Sequence, residues 1–132
     1  MPPNKPTLGT PMDWLQRAKG DLAMAKVPLP EEATYEDLCF HAQQASEKAI
    51  KAVFRHRGFA FRYTHDLEYL LTALAKTGEV IPEEVVMADE LTPFAWETRY
   101  PFQGEPVTHV EYQEVIRKAE IVVAWAEQVL RS

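Results

Sequence analysis

The sequence predicts an all-α fold, an up-and-down antiparallel bundle of four to five helices. Apolar residues recur at three- and four-residue steps in several segments, and prolines and glycines separate these segments. No segment shows the strict alternation of apolar and polar residues that is typical of a half-exposed strand. The 132 residues suffice for one domain. We expect residues 11–132 to form the bundle, after a flexible proline-rich arm at residues 1–10.

Three of the predicted helices begin with a capping box, in which a threonine is followed three residues later by an acid. The first helix ends before Pro28 and the second at Gly58. The last carries an apolar repeat as far as Leu130. The capping pairs are Thr10 with Asp13, Thr34 with Asp37, and Thr108 with Glu111.

The remaining two helices lie between these. Thr64 is the predicted cap of the third helix, and Gly78 is its stop. Pro82 opens a fourth helix, which is expected to run through Leu91 until Pro93 breaks it. The second helix carries an alanine-rich stripe that allows a neighbouring helix to approach closely: Leu38, Ala42, Ala45, Ala49 and Val53.

Composition excludes several classes of protein. The formal net charge of −6 argues against a general polyanion binder, because the overall field repels phosphate. A single cysteine, Cys39, excludes a disulfide framework within the chain and favours a reducing, cytoplasmic location. No apolar run approaches the ~20 residues needed to span a bilayer. We therefore expect no membrane association.

Common catalytic and cofactor motifs are missing. The four histidines show no His-x-x-x-His spacing, so we expect no metal. No glycine-rich phosphate loop is present, and Ser46 lacks the glycine-rich elbow of a hydrolase nucleophile. We therefore expect no bound cofactor.

One basic segment stands out in this acidic chain. No acid occurs from Lys48 until Asp66, and the second helix places Lys48, Lys51 and Arg55 on one face. Cations at a helix C-terminus are one explanation, and a phosphate-binding face is the other. Arg62 lies in the following loop and belongs to the same candidate surface.

A second candidate site is the loop that contains Arg99 and Tyr100, followed by His109 at the start of the last helix. The N–H groups of a helix start favour an anion. If the basic end of the second helix returns toward this loop, the two basic regions form one positive pocket. A packed loop whose arginine pairs with a carboxylate is the alternative.

Three blocks of the sequence resemble signatures of the HEPN domain family, the higher eukaryotes and prokaryotes nucleotide-binding family, and they follow the family's order. They are residues 40–52 (FHAQQASEKAIKA), 64–67 (THDL) and 99–101 (RYP). Trp14, Ala18, Asp21 and Leu22 also fit the family's first helix. The resemblance covers the chain from about Pro11 to Leu130.

The resemblance implies a small helical bundle, usually a homodimer, often encoded beside a minimal nucleotidyltransferase. Some members are metal-independent ribonuclease toxins with an Arg-x(4–6)-His motif, in which the arginine holds phosphate and the histidine handles protons. This sequence departs from that motif. Two residues separate Arg62 from His65, seven separate Arg57 from His65, and nine separate Arg99 from His109.

The leading hypothesis is therefore a nucleotide- or RNA-binding module, or a partner subunit of a minimal nucleotidyltransferase in a toxin–antitoxin-like system. A ribonuclease toxin that uses Arg99 and His109, or Arg62 and His65, is the alternative, and a purely structural dimerisation module is the third. The candidate binding residues are Lys48, Lys51, Arg55, Arg62, Arg99 and Tyr100.

Overall fold

The protein is helical throughout the parts that can be described. The structure, a computed structural model, describes residues 9–95 and 105–132. Within those two ranges it contains no strand, which confirms the all-α prediction. The helices are α1 (Pro11–Ala25), α2 (Tyr35–His56), α3 (Leu67–Lys76), α4 (Glu83–Val86) and α5 (His109–Arg131), with a 3-10 helix at Met87–Ala95 between α4 and α5.

Helix α1 runs antiparallel to both α2 and α5. At one end, Arg55 near the finish of α2 donates to the carbonyl of Gly9, just before α1. At the other, the Tyr112 hydroxyl in the first turns of α5 donates to the Ala25 carbonyl, 2.6 Å away. The helices α2 and α5 therefore begin at the same end of the bundle. The segment from α3 to the 3-10 helix brings the chain back from the end of α2 to the start of α5.

The packing of α1 against α2 depends on small side chains. The predicted alanine stripe of α2 is fully buried, and α1 packs along α2 with its own alanines Ala18 and Ala25 buried. Small side chains let two helix backbones approach closely, so larger residues at these positions would force the helices apart. This close packing fixes the position of α2, which carries the polar residues discussed below.

The cap of α3 differs from the prediction. Asp66, not Thr64, is the N-cap, and its carboxylate accepts from the backbone N–H of Glu68 and of Tyr69 at 3.0 and 3.2 Å. Thr64 accepts from the N–H of Asp66 at 3.0 Å, one step before the helix. Aspartate and threonine both cap well, and here the residue adjacent to the first apolar position provides the cap.

The fourth helix is also shorter than predicted. Its α-helical part ends at Val86, and the chain continues as a 3-10 helix that includes Pro93. The β-branched pair Val85 and Val86 is a weak helix former, which favours an end of the α-helix here, and the 3-10 helix continues past Pro93 to Ala95. In the described ranges no helix is long and apolar enough to cross a membrane.

Candidate functional site

Both lysines of the basic segment form ion pairs with carboxylates of the protein itself. Lys48 forms an ion pair with Asp21 of α1, with 2.6 Å between Nζ and Oδ2. Lys51 pairs with Glu47 one turn earlier on α2, with 2.7 Å between Nζ and Oε2, and only 6% of the Lys51 side chain is exposed. The Lys48 pair therefore connects α2 to α1, and Lys51 has almost no surface with which to contact a ligand.

Three aromatic rings surround the Lys51 ammonium. Its Nζ lies 5.6 Å from the ring centre of Trp14, 5.2 Å from that of Phe61 and 5.8 Å from that of Tyr63. A cation at these distances is attracted to the electron-rich ring faces. Because Phe61 and Tyr63 belong to the loop between α2 and α3, this arrangement attaches the loop to the bundle.

Glu47 is the centre of a buried polar network. Its Oε1 atom lies 2.8 Å from Nδ1 of His65 and accepts from the Gln43 and Gln44 side-chain amides, while Oε2 accepts from Lys51. Gln43 also donates to the backbone carbonyl of His65 at 3.1 Å. The Glu47 side chain is 4% exposed and that of His65 is 51% exposed. An ionised carboxylate only accepts, so Nδ1 of His65 is the donor in this bond.

The α2–α3 loop presents aromatic and cationic groups to solvent. Tyr63 is 87% exposed, and the Arg62 guanidinium lies over the ring of Tyr69, 5.0 Å from its centre. Arg57 forms two bonds to Glu79, and this hydrogen bonding raises the pKa of Arg57 above its usual value. Among the described residues, Arg55 and Arg62 form no ion pair with a carboxylate.

His109 lies at the opposite end of α2 from this loop. Its Nδ1 is 2.9 Å from the Tyr35 hydroxyl, in an aromatic group completed by Tyr112. Tyr35 and Lys51 are sixteen residues apart on one helix, which corresponds to about 24 Å along its axis. The expected single positive pocket of His109 with Lys48, Lys51 and Arg55 is therefore wrong. Arg99 and Tyr100 lie outside the described residues.

Glu47 and Asp21 are the residues that sequence reasoning overlooked. Asp21 accepts from Lys48 and bonds Nδ1 of His41 at 3.1 Å, and thereby connects α1 to α2. Glu47 had a detectable signal, because it lies four residues before Lys51 and four after Gln43 on the helix that carries the alanine stripe. Such a polar line on a buried helix indicates an internal network.

The α2–α3 loop carries the imidazole of His65, whose orientation is set by Glu47, together with Arg62 and the exposed ring of Tyr63. A histidine that donates Nδ1–H to a carboxylate has a defined tautomer and ring orientation, and it can exchange a proton or bond a phosphate through Nε2. Among the residues described, no three His, Cys, Asp or Glu side chains converge to hold a metal ion.

Comparison with known proteins agrees with the architecture. A family model described as the HEPN domain matches residues 11–129. A crystal structure of TT1696 from Thermus thermophilus has 32% sequence identity and a TM-score of 0.75, and the match covers 90% of this chain and 97% of that one. A crystal structure of ST0689, an archaeal HEPN homologue, has 26% identity and a TM-score of 0.73, with 92% and 98% covered. No protein of curated function matches the chain.

Proposed function

The chain belongs to the HEPN domain family, and from this premise we propose that it binds single-stranded RNA or a nucleotide through the α2–α3 loop. One observation carries the proposal: an acid-free stretch of an acidic protein presents Arg62, Tyr63 and His65 at the surface together. Of the predicted binding residues, Arg55 and Arg62 are direct ligands in this proposal. Lys48 and Lys51 are not, because both ammonium groups are held by carboxylates of the bundle.

The chemical logic is that of single-strand recognition. An exposed tyrosine ring offers a face on which a base stacks, for about 1–3 kcal/mol per base, and an adjacent arginine holds the phosphate. Tyr63 and Tyr69 provide ring faces, and Arg62 lies next to Tyr63 in sequence and against Tyr69 in space. His65 adds a hydrogen-bonding group whose direction Glu47 determines.

Fluorescence anisotropy with a labelled oligouridylate of about ten nucleotides tests this proposal, a length within the range that one such surface covers. We expect weak, salt-dependent binding, because each phosphate contact releases counterions from the strand. Arg62→Ala is expected to weaken binding about tenfold, the equivalent of ~1.4 kcal/mol.

The matched control is Arg17→Ala, which removes the same charge from an exposed position of α1. Equal losses for Arg62→Ala and Arg17→Ala would mean that only net charge matters and that the loop is not the site. Unchanged binding in a folded Arg62→Ala protein would lead to the same conclusion.

A ribonuclease is the second candidate, favoured by the bond between His65 and buried Glu47. In this alternative Arg62 holds the scissile phosphate, and His65 accepts the proton of the 2′-hydroxyl as its oxygen attacks the phosphorus. The bond from phosphorus to the 5′-oxygen breaks and that oxygen takes up a proton, which leaves a 2′,3′-cyclic phosphate and a 5′-hydroxyl. Incubation of labelled RNA with the protein in a chelator tests it. Cleavage that His65→Ala abolishes and Arg17→Ala preserves would favour the enzyme over the binding module.

Assembly forms the third part of the proposal. We infer a two-fold homodimer, and the family resemblance suggests a minimal nucleotidyltransferase as its partner protein. The support is that several large apolar side chains are exposed, and such surfaces mark interfaces when they are contiguous. They include Met12, Met24, Leu29, Val80, Val86, Met87 and Val110. Light scattering that gives the 15.1 kDa mass of one chain would contradict the dimer.

A further inference from the structure

We propose that Glu47 is a positioning residue for the ligand-binding loop, and that the Glu47–Lys51 pair fixes both the tautomer of His65 and the placement of Tyr63. This inference rests on the proposed function and names residues that do not touch the ligand. Both members of the pair are buried on α2, whereas the groups that they orient, His65 and Tyr63, are exposed.

The first step of the argument concerns the two oxygens of Glu47. One accepts from Lys51 at 2.7 Å, and the other bonds His65 at 2.8 Å. The two side-chain amides of Gln43 and Gln44 approach the same Oε1 at 3.3 and 3.4 Å. The carboxylate is thus held from several directions and has little freedom to rotate. A group fixed in this way imposes its direction on the imidazole.

The second step concerns Lys51. Its ammonium contacts the faces of Phe61 and Tyr63, two residues of the loop, and of Trp14 on α1. A single cation therefore links the Glu47 carboxylate to the same loop that carries His65. Any displacement of Lys51 is expected to release both Tyr63 and the carboxylate.

The third step is energetic. A buried ion pair contributes little net stability, because desolvation of the two charges offsets their attraction, and an apolar pair of similar volume often does as well. What an apolar pair cannot do is fix the direction of a ring nitrogen or hold rings around a cation. The bond from Glu47 to His65 and the rings around the Lys51 ammonium therefore favour a positioning role for the pair over a stabilising one.

Two variants separate these roles. Glu47→Gln keeps the shape of the side chain but leaves the Lys51 charge buried without a carboxylate. The double variant Glu47→Gln/Lys51→Met removes both charges, so the stability lost in the single variant is expected to return in large part. The matched control is Glu114→Gln, which breaks an exposed pair with Arg117 on α5.

The first readout is nitrogen NMR of the His65 ring, taken where the ring-nitrogen signals show the neutral form. In the wild type the proton is expected on Nδ1. In Glu47→Gln the ring is expected to shift toward the Nε2–H form, because the amide oxygen of the new side chain faces the Lys51 ammonium and its NH2 group faces the ring. The second readout is oligouridylate affinity, which we expect to fall about tenfold in the folded double variant and to stay constant in Glu114→Gln.

Wild-type RNA affinity in a stable double variant, together with an unchanged His65 tautomer in Glu47→Gln, would overturn the inference and leave the pair with a purely structural role. If the wild type binds no RNA, the proposed function fails, and the ring spectrum alone decides whether Glu47 orients His65. The two failures are therefore distinguishable.

Discussion

The ammonium of Lys51 lies 2.7 Å from the Oε2 atom of Glu47, one helical turn earlier, and both side chains are buried. The sequence places Lys51 on a candidate ligand-binding face, but this ion pair holds the Lys51 side chain inside the protein. The lysine faces inward because its partner lies at the i−4 position and three rings enclose its charge. Exposed cations of the region include Arg55 and Arg62 instead.

Removal of one member of the buried pair is expected to be strongly destabilising. Lys51→Ala leaves the Glu47 carboxylate buried without its cation, and such changes cost about 3–5 kcal/mol. Urea unfolding followed by circular dichroism measures the loss. Arg131→Ala, which breaks an exposed pair with Glu127, is expected to leave the stability nearly unchanged. Similar effects for the two variants would show that the Lys51 pair is not buried in solution.

The interior of α1 contains a glycine that the fold does not require. Gly20 is exposed, and a Cβ added there meets no atom within 4 Å. Gly20→Ala is therefore expected to stabilise the protein by about 0.4–1 kcal/mol, because alanine loses less backbone entropy. A thermal melt reports the change. Gly78→Ala is the contrast: its φ of +103° disfavours a side chain, so the melting temperature is expected to fall.

Larger side chains in the alanine stripe of α2 are expected to destabilise the protein. Ala45 is fully buried, and Ala45→Leu should cost about 1–3 kcal/mol by overpacking. Ala124 is an exposed position of α5, so Ala124→Leu should leave the melting temperature nearly unchanged. Equal melting temperatures for the two variants would mean that α2 packs more loosely than the structure shows.

Tyr112 makes stability sensitive to alkaline pH. Burial, followed by the nearby Cys39 and Tyr35, raises its pKa above the ordinary value of 10.0. The Tyr112 hydroxyl therefore loses its proton at a lower pH in the unfolded chain than in the folded protein. Its contribution to the free energy of unfolding is fully present below the pKa of the unfolded chain. That contribution is lost as the pH rises through the pKa of the folded protein. Tyr112→Phe should remove this part of the alkaline loss in a pH series of melts.

The same variant carries a separate cost at neutral pH. The Tyr112 hydroxyl donates to the Ala25 carbonyl at 2.6 Å, and loss of this bond should destabilise by about 1 kcal/mol. Equal stability of Tyr112→Phe and wild type at neutral pH would contradict the hydrogen bond that joins α5 to α1.

Much of the fold was predictable because local signals and tertiary packing agree. The capping boxes at Thr10 and Thr108 form as predicted, with the threonine hydroxyl accepting from the N–H of Asp13 and of Glu111. At α3 two nearby residues are able to cap the helix, and the N-cap is Asp66, not Thr64. The early end of α4 at Val86 was not predictable from Pro93 alone, which lies seven residues later.

The site was less predictable because charge patterns on a helix do not reveal which charges face the interior. Lys48, Lys51 and Arg55 share a sequence pattern, yet two of them meet carboxylates and the third bonds a backbone carbonyl. Asp21, the partner of Lys48, lies on α1, so spacing along α2 alone cannot identify it. The placement of His109 likewise depends on α2 and α5 starting at one end of the bundle, which no local signal encodes.

The central claim is that the α2–α3 loop is the ligand-binding surface, and amide NMR during an oligouridylate titration tests it most directly. We predict that shifts concentrate in residues 59–69, the loop with the first turn of α3, and that they weaken as salt increases. Shifts that concentrate around Tyr35 and His109 instead, or the absence of any shift at high RNA concentration, would contradict the account.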